Sequence, residues 1–411
     1  MSLVKEYLRL FKEYSEQYGQ KVVVLMQVGA FFEVYGLRNQ DGSIHMSNIE
    51  TFCSLCDLIV ASKRTCVGKE DVVMAGFRDY MLDKYLKKLQ ENGYTTVVYK
   101  QDAPSKNTTR SLAGIYSPGT FFSAESNVLS NTTLCIRLVR HRSNIHIGLA
   151  MIDIFTGKTA AFEMTTSDYH NPTSFDQLER YVSVYDPQEI LIIHDFEDKY
   201  VSDVLSFIGA DGRNNVLIKT NDKSNNLSKM AVNCEKQTVQ NEILKRFNLG
   251  VEQEFQPQSL FEENQLASFA FCYLLDYVHS HNPDLTSRLQ EPIMENKTDK
   301  VLLANHSLQQ LNIIDDNQYT GKCSSVSSLL NSCITPMGRR AFKYKMLNPI
   351  SDGEVLNKSY DLIDQFRALD DLSIIRTHLR GVKDLEKLER KRLLRRTTPF
   401  DFAQLVSNLR S

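Results

Sequence analysis

Short apolar runs alternate with helical stretches up to about residue 245, and helical sequence takes over from about Leu260. The runs Val22–Val28 and Tyr94–Gln101 have the length and the β-branched content of strands. The stretch Asp79–Gly93 spaces its apolar residues as a helix does and ends in glycine. This alternation predicts a small mixed α/β domain over residues 1–112.

The following region repeats the alternation with different elements. Two adjacent strand candidates, Thr133–Arg140 and Ile145–Glu163, precede a helical interval, Phe175–Tyr185, and a further strand, Glu189–Asp195. This order predicts a second α/β domain over residues 131–245.

Helical patterns dominate the rest of the chain, as in Leu266–His281 and Gly338–Ile350. We predict an α-helical third domain over residues 246–411. Polar residues and a Pro-Gly pair predict a linker over residues 113–130. The predicted fold class is therefore multidomain, with two α/β domains followed by an α-helical domain.

Charge and cysteine content limit the classes of function. The formal net charge is −2, from 48 basic and 50 acidic residues, so any nucleic-acid surface must be local. The eight cysteines show no repeating spacing, which indicates free thiols in a reducing compartment. No apolar run reaches the ~20 residues of a membrane span, and Met1–Gln20 has the pattern of an amphipathic helix rather than of a signal peptide. We expect a soluble intracellular protein without membrane contact.

The trio Gly157-Lys158-Thr159 has the ending of a phosphate-binding loop. The complete motif needs another glycine five residues earlier, where this chain has Ile152. Strand-like runs flank the trio on both sides, so we interpret it as a hairpin turn with an exposed lysine. Nucleotide binding is not predicted there.

Cys53 and Cys56 have metal-ligand spacing, and His45 and Cys66 lie near enough in sequence to complete a zinc site. Apolar residues recur at helical spacing through Cys56, which instead favours buried thiols on the core face of a helix. We predict no metal site and keep zinc as the alternative.

Asp153, in a strand candidate of the second domain, stands where a metal-dependent nuclease of the ribonuclease-H type would place an acid. Asp186 and Asp195 are the nearest further acids, but no pair is convincingly placed for two metal ions. Single acids at strand ends are commonly turn or cap residues, so we favour a structural role for Asp153.

The run LERKRLLRR, Leu388–Arg396, is the one concentrated cationic stretch. On a helix its charges spread over more than one face, which is typical of a solvated surface. Contact with phosphates is the alternative, and the spacing does not distinguish the two.

The stretch MQVGAFFEVYG, Met26–Gly36, ends a strand in glycine and places two aromatics and a carboxylate just beyond the expected turn. Neighbouring residues of a strand point to opposite faces, so one ring is expected in the core and the other outside it. We predict that Phe32 is buried and that Phe31 faces outward; the alternative is that both rings are packed.

These residues resemble the mismatch-reading segment of the MutS family of DNA mismatch-repair proteins, in which a strand ends in glycine, any residue, and then Phe-Tyr-Glu. Phe31, Phe32 and Glu33 stand in those three places. The segments VVMAGF at Val72–Phe77 and IYSPGT at Ile115–Thr120 follow in the family's order. The chain departs from the family in two places. Phe32 lacks the usual tyrosine hydroxyl, and the chain reads Phe77-Arg78-Asp79-Tyr80 where the family often shows a proline and a histidine after the glycine. Phosphate contacts near that stretch therefore do not carry over.

The resemblance extends along nearly the whole chain. IGLAMIDIFTGKTAAFE resembles the family's connector, a ribonuclease-H-like domain without catalytic acids. Asp299–Ile313, Ser327–Ile350 and His378–Leu388 resemble the beginning of its helical core or lever domain. The family's DNA clamp and its ATPase, with ATP and Mg²⁺, would lie beyond Ser411, so the resemblance implies the front part of a longer protein and no catalysis or cofactor in this chain.

The implied function is binding of duplex DNA with mismatches or small loops, by a protein expected to form a homodimer at full length. Phe31 would be the minor-groove wedge, and Glu33 would contact the mispaired base as an acceptor or, when protonated, as a donor. Four residues would support the DNA-reading loop: Gly29, Phe32, Met74 and Gly76. The alternatives are a nuclease using Asp153 and a MutS-like protein acting on branched DNA.

Overall fold

The computed structural model describes residues 3–102, 109–122, 128–167, 173–247, 263–295, 308, 310–314, 321, 323–369 and 372–410. The resembling segment Asp299–Ile313 lies largely outside the described residues, as does part of the predicted linker.

The first sheet is formed by the N-terminal part of the chain. Its strands are β1 (Val22–Val28), β2 (Phe31–Arg38), β3 (Ile44–His45), β4 (Ala61–Val67), β5 (Glu70–Arg78), β6 (Thr95–Gln101) and β7 (Arg110–Tyr116). Their order is β4-β5-β2-β1-β6-β7, with β3 beside the end of β2, and β6 runs parallel to β1 while the other pairs are antiparallel. The predicted strand at Val22–Val28 is confirmed.

Helices cover both faces of this sheet: α1 (Leu3–Tyr18), α2 (Ile49–Cys56) and α3 (Leu82–Glu91). Tyr7 of α1 meets the ring of Tyr35 edge to face at 5.2 Å between centroids. On the other face, Tyr85 of α3 lies 4.5 Å from Phe77. After α3 the chain turns at Gly93, whose φ of 77° suits a glycine, as the sequence predicted.

The second sheet follows in the chain. Its strands are β8 (Thr132–His141), β9 (Asn144–Asp153), β10 (Thr159–Ser167), β11 (Glu189–His194), β12 (Asn214–Lys219) and β13 (Ile293–Met294). Their order is β12-β11-β8-β9-β10-β13; the pairs β8–β9 and β9–β10 are antiparallel, whereas β11 is parallel to both β8 and β12. The helices of this region are α4 (Asp176–Tyr185), α5 (Asp198–Phe207), α6 (Asn226–Cys234) and α7 (Gln237–Phe247).

A long apolar helix, α8 (Gln265–His281), packs against β8 and β9 of the second sheet. The sequence pattern predicts this helix at the start of the helical third domain, residues 246–411. The helix is apolar around most of its circumference, so it must be buried on several sides. The second sheet and α7 pack against it and bury it. The approach is close: a Cβ on Gly148 of β9 would lie 2.2 Å from the carbonyl oxygen of Leu266.

The elements in the rest of the described chain are helices. The helices are α9 (Val326–Leu330), α10 (Pro336–Leu347), α11 (Gly353–Arg367), α12 (Leu372–Leu379), α13 (Leu385–Leu393) and α14 (Pro399–Arg410). The Thr335 hydroxyl caps α10 by accepting from the Gly338 N–H, and Pro336 occupies its first turn. A mixed α/β N-terminal region and a helical part are thus both present.

None of the helices in the described part of the chain combines the length and the apolar character of a membrane span.

Candidate nucleic-acid interface

A tight hairpin joins β1 to β2 through Gly29 and Ala30, because Val28 pairs directly with Phe31. Gly29 has a φ of 60°, a conformation that suits glycine at the first position of such a turn. Its N–H donates to the side-chain oxygen of Gln101 on β6, 3.2 Å away. The turn that the sequence predicted after Val28 is therefore present and is held to a neighbouring strand.

The two phenylalanines of β2 point to opposite faces of the sheet. Phe32 is 1% exposed and packs against Phe77, with ring centroids 5.9 Å apart, whereas Phe31 is 44% exposed. The structure thus places one ring in the core and one outside it, as strand alternation predicts. An exposed aromatic at the first residue of a strand leaves its ring available for stacking.

Glu33 lies on the same face of β2 as Phe31, two residues further along. Its Oε2 accepts hydrogen bonds from Lys63 Nζ, at 3.2 Å, and from the Tyr35 hydroxyl. No described residue hydrogen-bonds to the other carboxylate oxygen, Oε1. Burial, helped by the bond to Glu33, raises the pKa of Tyr35, so the phenol keeps the proton that it donates.

Strand β5 completes this face beside β2. Gly76 pairs with Glu33 and Met74 pairs with Tyr35. A Cβ on Gly76 would lie 2.7 Å from the Phe32 carbonyl oxygen and 3.3 Å from Glu33 Cγ, so the glycine leaves the room that Glu33 occupies. The predicted supporting residues therefore all lie within the hairpin or on the adjacent strand.

Arg78 ends β5 directly opposite Phe31, and its guanidinium lies 5.9 Å from the centre of the Phe31 ring. The next residue, Asp79, donates its N–H to the Ala30 carbonyl at 2.9 Å, which ties the segment to the hairpin turn. Tyr80 is strongly exposed beside it. Arg78 thus places a cation beside the Phe31 ring, and Tyr80, two residues further along the chain, is a second exposed aromatic residue.

Sequence reasoning missed Lys63 and Tyr35 as partners of Glu33. Tyr35 carried a usable signal, because residues two apart on a strand share a face. Lys63 carried none, since its position depends on how β4 pairs with β5.

The trio Gly157-Lys158-Thr159 forms the turn between β9 and β10, which confirms the hairpin interpretation. Gly157 has a φ of 74°, and Lys158 is ion-paired with Glu386 at 2.7 Å. A phosphate-binding loop would have to precede a helix, so this turn does not fit a nucleotide.

Cys53 and Cys56 are buried on α2, as the helical spacing predicted. Burial raises the pKa of the Cys56 thiol to about 11, which disfavours the thiolate that a metal needs. His45 instead bonds to Glu70, and Cys66 bonds to Asp71. Within the described ranges no three acidic, histidine or cysteine side chains form a group suited to a metal ion.

Asp153 is buried at the end of β9 and accepts hydrogen bonds from within the protein. Its donors are the backbone N–H groups of Asn131 and Phe155 and the Thr156 hydroxyl. Burial raises the pKa of this carboxyl. Asp186 and Asp195 are paired with arginines elsewhere, so the three acids do not form a shared metal site.

The basic run on and after α13 contains both buried and exposed residues: Arg390 is buried, whereas Arg392, Arg395 and Arg396 are exposed. Arg390 is buried and donates to the carbonyls of Ile154, Ser287 and Leu285. Lys391 pairs with Asp401 at 2.7 Å. Arg390 therefore lies neither on a solvated face nor on a surface that could contact phosphates. A fully buried guanidinium requires hydrogen-bond acceptors, and backbone carbonyls supply them here.

Two family models match the chain: MutS domain I over residues 5–125 and MutS domain III over residues 306–411. A putative DNA mismatch repair protein, a mutS homolog of Acanthamoeba polyphaga mimivirus, is 26% identical over 96% of this chain and 37% of its own length. The DNA mismatch repair protein MutS of Caldanaerobacter subterraneus is 23% identical over 100% of the chain and 43% of its own length. A mitochondrial mutS homolog of Sarcophyton glaucum is 24% identical over 94% of the chain and 42% of its own length.

The matched relatives are all named as DNA mismatch-repair proteins. The chain belongs to the MutS family, and the resemblance stated from the sequence is confirmed. MutS domains I and III are non-catalytic parts of that family. The chain spans about two fifths of the length of the relatives that it matches.

Proposed function

We propose that this chain binds duplex DNA containing mismatches or small loops, as the recognition part of a MutS-like protein. The observation that carries the proposal is that the exposed Phe31 and the carboxylate of Glu33 lie on the same face of the β1–β2 hairpin. A buried-core role accounts for Phe32, but it accounts neither for the exposed ring nor for the carboxylate beside it.

The mechanism follows from the weakness of a mispaired step. A mispair stacks poorly, so the duplex kinks there at lower free energy, and a protein that tests deformability finds the fault without reading sequence. Phe31 would enter from the minor groove and stack on the displaced base. Unstacking costs a few kcal/mol, which stacking and contacts to the bent duplex offset.

Glu33 would supply selectivity beside this wedge. A carboxylate near phosphates is repelled by intact duplex, and it gains a hydrogen bond only where a base is displaced toward it. The hairpin holds both groups on a rigid sheet, so little conformational freedom is lost on binding.

The second α/β region is proposed to be the connector. Its central strand order, β12-β11-β8-β9-β10, with the first three of these strands parallel and the last three antiparallel, supports a ribonuclease-H-like architecture. The internal hydrogen bonds of Asp153 support a structural role for that residue. No observation favours the nuclease alternative. That alternative would be established if the protein cleaved nucleic acid in the presence of Mg²⁺ and if Asp153→Ala abolished the cleavage.

We further propose that the full-length protein is a homodimeric ATPase, and that ATP and Mg²⁺ act in a part of the protein beyond this chain.

The proposed function is tested by the ratio of affinities for a mismatched and a matched duplex, measured with the full-length protein. Phe31→Ala is expected to bring this ratio close to one. Leu112→Ala is the matched control, because Leu112 is also an exposed apolar residue of the same sheet, on β7. An unchanged ratio in Phe31→Ala would overturn the proposal.

A further inference from the structure

A cleft of about 720 Å³ lies in the helical part of the chain. Helices α10, α13 and α14 and the segment between α12 and α13 line it, together with Val128 and Leu129. This volume is within the range of about 300–1,000 Å³ that is usual for sites that bind small molecules. The β1–β2 hairpin belongs to the first sheet, so the cleft is a separate feature of the molecule.

Positive charge predominates in this cleft. Five of its lining residues are cations and two are acids. Both acids are already engaged: Asp384 forms an ion pair with Arg340 at 2.6 Å, and Asp401 forms one with Lys391 at 2.7 Å. The carboxylates of the cleft therefore do not neutralise its other cations.

Three of these cations have no carboxylate partner among the residues that the structure describes: Arg339, Arg380 and Lys383. All three are exposed. Arg339 donates from Nε to the Cys333 carbonyl at 3.1 Å, so the two terminal nitrogens of its guanidinium can still bind an anion. Guanidinium and ammonium groups are the side chains that bind phosphate oxygens, which points to a phosphorylated ligand.

An exposed aromatic ring lies at the other end of the cleft. Phe400, at the start of α14, lines the cleft and is 73% exposed. Asn408 lies near the end of the same helix, and its side-chain amide contacts the backbone of Gly381 and Lys383, at 2.6 and 3.1 Å. A helix rises 1.5 Å per residue, so Phe400 and Asn408 are about 12 Å apart along α14. The cations and the ring thus lie toward opposite ends of this helix.

We propose that the cleft binds a nucleoside polyphosphate, with its phosphates at Arg380 and Lys383 and its base against Phe400. Bases stack on aromatic side chains, and a nucleoside polyphosphate carries its base and its phosphates at opposite ends of one small molecule. Duplex DNA fits less well, because a cavity of this volume admits a small molecule and not a double helix. The site goes beyond the proposed function, and it is distinct from the ATPase proposed for a part of the protein beyond this chain.

The experiment is photo-labelling of the full-length protein with 8-azido-ATP, followed by digestion with trypsin and mass spectrometry. Trypsin cleaves after Arg396 and after Arg410, so one peptide carries Phe400. We expect label on this peptide in the wild type, and we expect excess ATP to prevent it. Identifying the labelled peptide separates this site from the proposed ATPase, whose peptides lie outside this chain.

Arg380→Ala/Lys383→Ala is expected to reduce labelling of this peptide by about tenfold or more at a subsaturating concentration of 8-azido-ATP, because two charged contacts to phosphate are lost. Both side chains are exposed, so the variant should fold, and circular dichroism checks that it does. The matched control is Lys358→Ala/Arg367→Ala, which removes two exposed cations of α11 that do not line the cleft. It should be labelled as the wild type is.

Competition distinguishes a nucleotide from other sources of phosphate. ATP is expected to prevent labelling at a concentration about tenfold lower than inorganic tripolyphosphate, because only ATP has a base to stack on Phe400. Equal potency of tripolyphosphate would mean that the cleft binds phosphates alone, and equal potency of duplex DNA would mean that DNA occupies it. Either result would overturn the proposal, as would a wild-type peptide without label or undiminished label in Arg380→Ala/Lys383→Ala.

Discussion

Gly76 lies opposite Glu33 in the β2–β5 pair, and a Cβ on it would come within 3.3 Å of Glu33 Cγ and 2.7 Å of the Phe32 carbonyl oxygen. The second contact is with backbone, which cannot rotate away. We predict that Gly76→Ala destabilises the protein by about 1–3 kcal/mol and displaces Glu33. Urea unfolding measures the first effect, and mismatch affinity measures the second.

Gly353→Ala is the control for this change, because a Cβ on Gly353 would meet no atom within 4 Å. It should leave mismatch affinity unchanged. If Gly76→Ala were as stable as the wild type and bound mismatched DNA equally well, the prediction would be wrong. The strands would then accommodate the added Cβ without a cost in free energy, and the position of Glu33 would not depend on the glycine.

The guanidinium of Arg78 flanks the Phe31 ring at 5.9 Å. We predict that Arg78→Ala lowers affinity for a mismatched duplex about two- to fivefold, the size of an exposed cation–π contact. In the Phe31→Ala background the same substitution should have a smaller effect, because the ring that it positions is gone. Lys84→Ala serves as control, since it removes a cation from above the ring of Tyr85 on the opposite face. Equal effects in both backgrounds would mean that Arg78 acts independently of Phe31.

Arg390 links α13 to the second sheet and to the segment after α8. Its guanidinium donates to the carbonyl of Ile154 at 3.3 Å and to that of Ser287 at 2.5 Å. Burial lowers the pKa of Arg390 to about 10, which leaves it charged at neutral pH. We predict that Arg390→Leu lowers the free energy of unfolding by about 2–4 kcal/mol, because buried carbonyls lose their donors.

Circular dichroism during urea unfolding measures this loss. Arg392→Leu changes an arginine two residues away that is exposed and paired with Glu389, so its unfolding midpoint should match wild type. Equal midpoints for the two variants would contradict the bridging role of Arg390.

Glu189 is buried at the start of β11, where Ser117 Oγ and the Tyr277 hydroxyl donate to it. Burial raises the pKa of Glu189 to about 7, above its value in an unfolded chain. The folded state therefore holds a proton that the unfolded state has released. Its stabilising effect is complete below pH ~4.5 and is lost as pH rises toward 7.

The measurement is the difference in unfolding free energy between wild type and Glu189→Gln as a function of pH. This difference should change by up to about 3 kcal/mol between pH 4.5 and 7.5, with wild type losing stability as pH rises. Burial also lowers the pKa of His281, to about 4. Both proteins contain His281, so taking the difference removes its contribution to the pH dependence. A flat profile for Glu189→Gln would refute the prediction.

Local sequence rules were sufficient for the hairpin. The period of two along β2 separates Phe31 from Phe32, and the glycine at the turn marks where the strand reverses. These features depend on neighbouring residues only. The partners of Glu33 depend on the pairing of β4 with β5, which includes a shift of register between Lys63 and Cys66 that no local pattern encodes.

Long-range packing accounts for the other differences. The composition of α8 predicts that the helix is buried, but not that the second sheet covers it. Arg390 has the sequence environment of a surface residue, since basic residues surround it, yet backbone carbonyls from distant segments bind its guanidinium. Domain boundaries stay predictions for the same reason, because they depend on contacts between segments far apart in the chain.

Insertion of Phe31 at the fault is the central claim, and the fluorescence of 2-aminopurine placed next to a mispair reports it most directly. The fluorescence of this base rises when it unstacks, so binding of the full-length wild-type protein should increase the signal on mismatched duplex and leave matched duplex unchanged. Phe31→Ala should bind without the increase. An equal increase with Phe31→Ala, at saturating protein, would contradict the account.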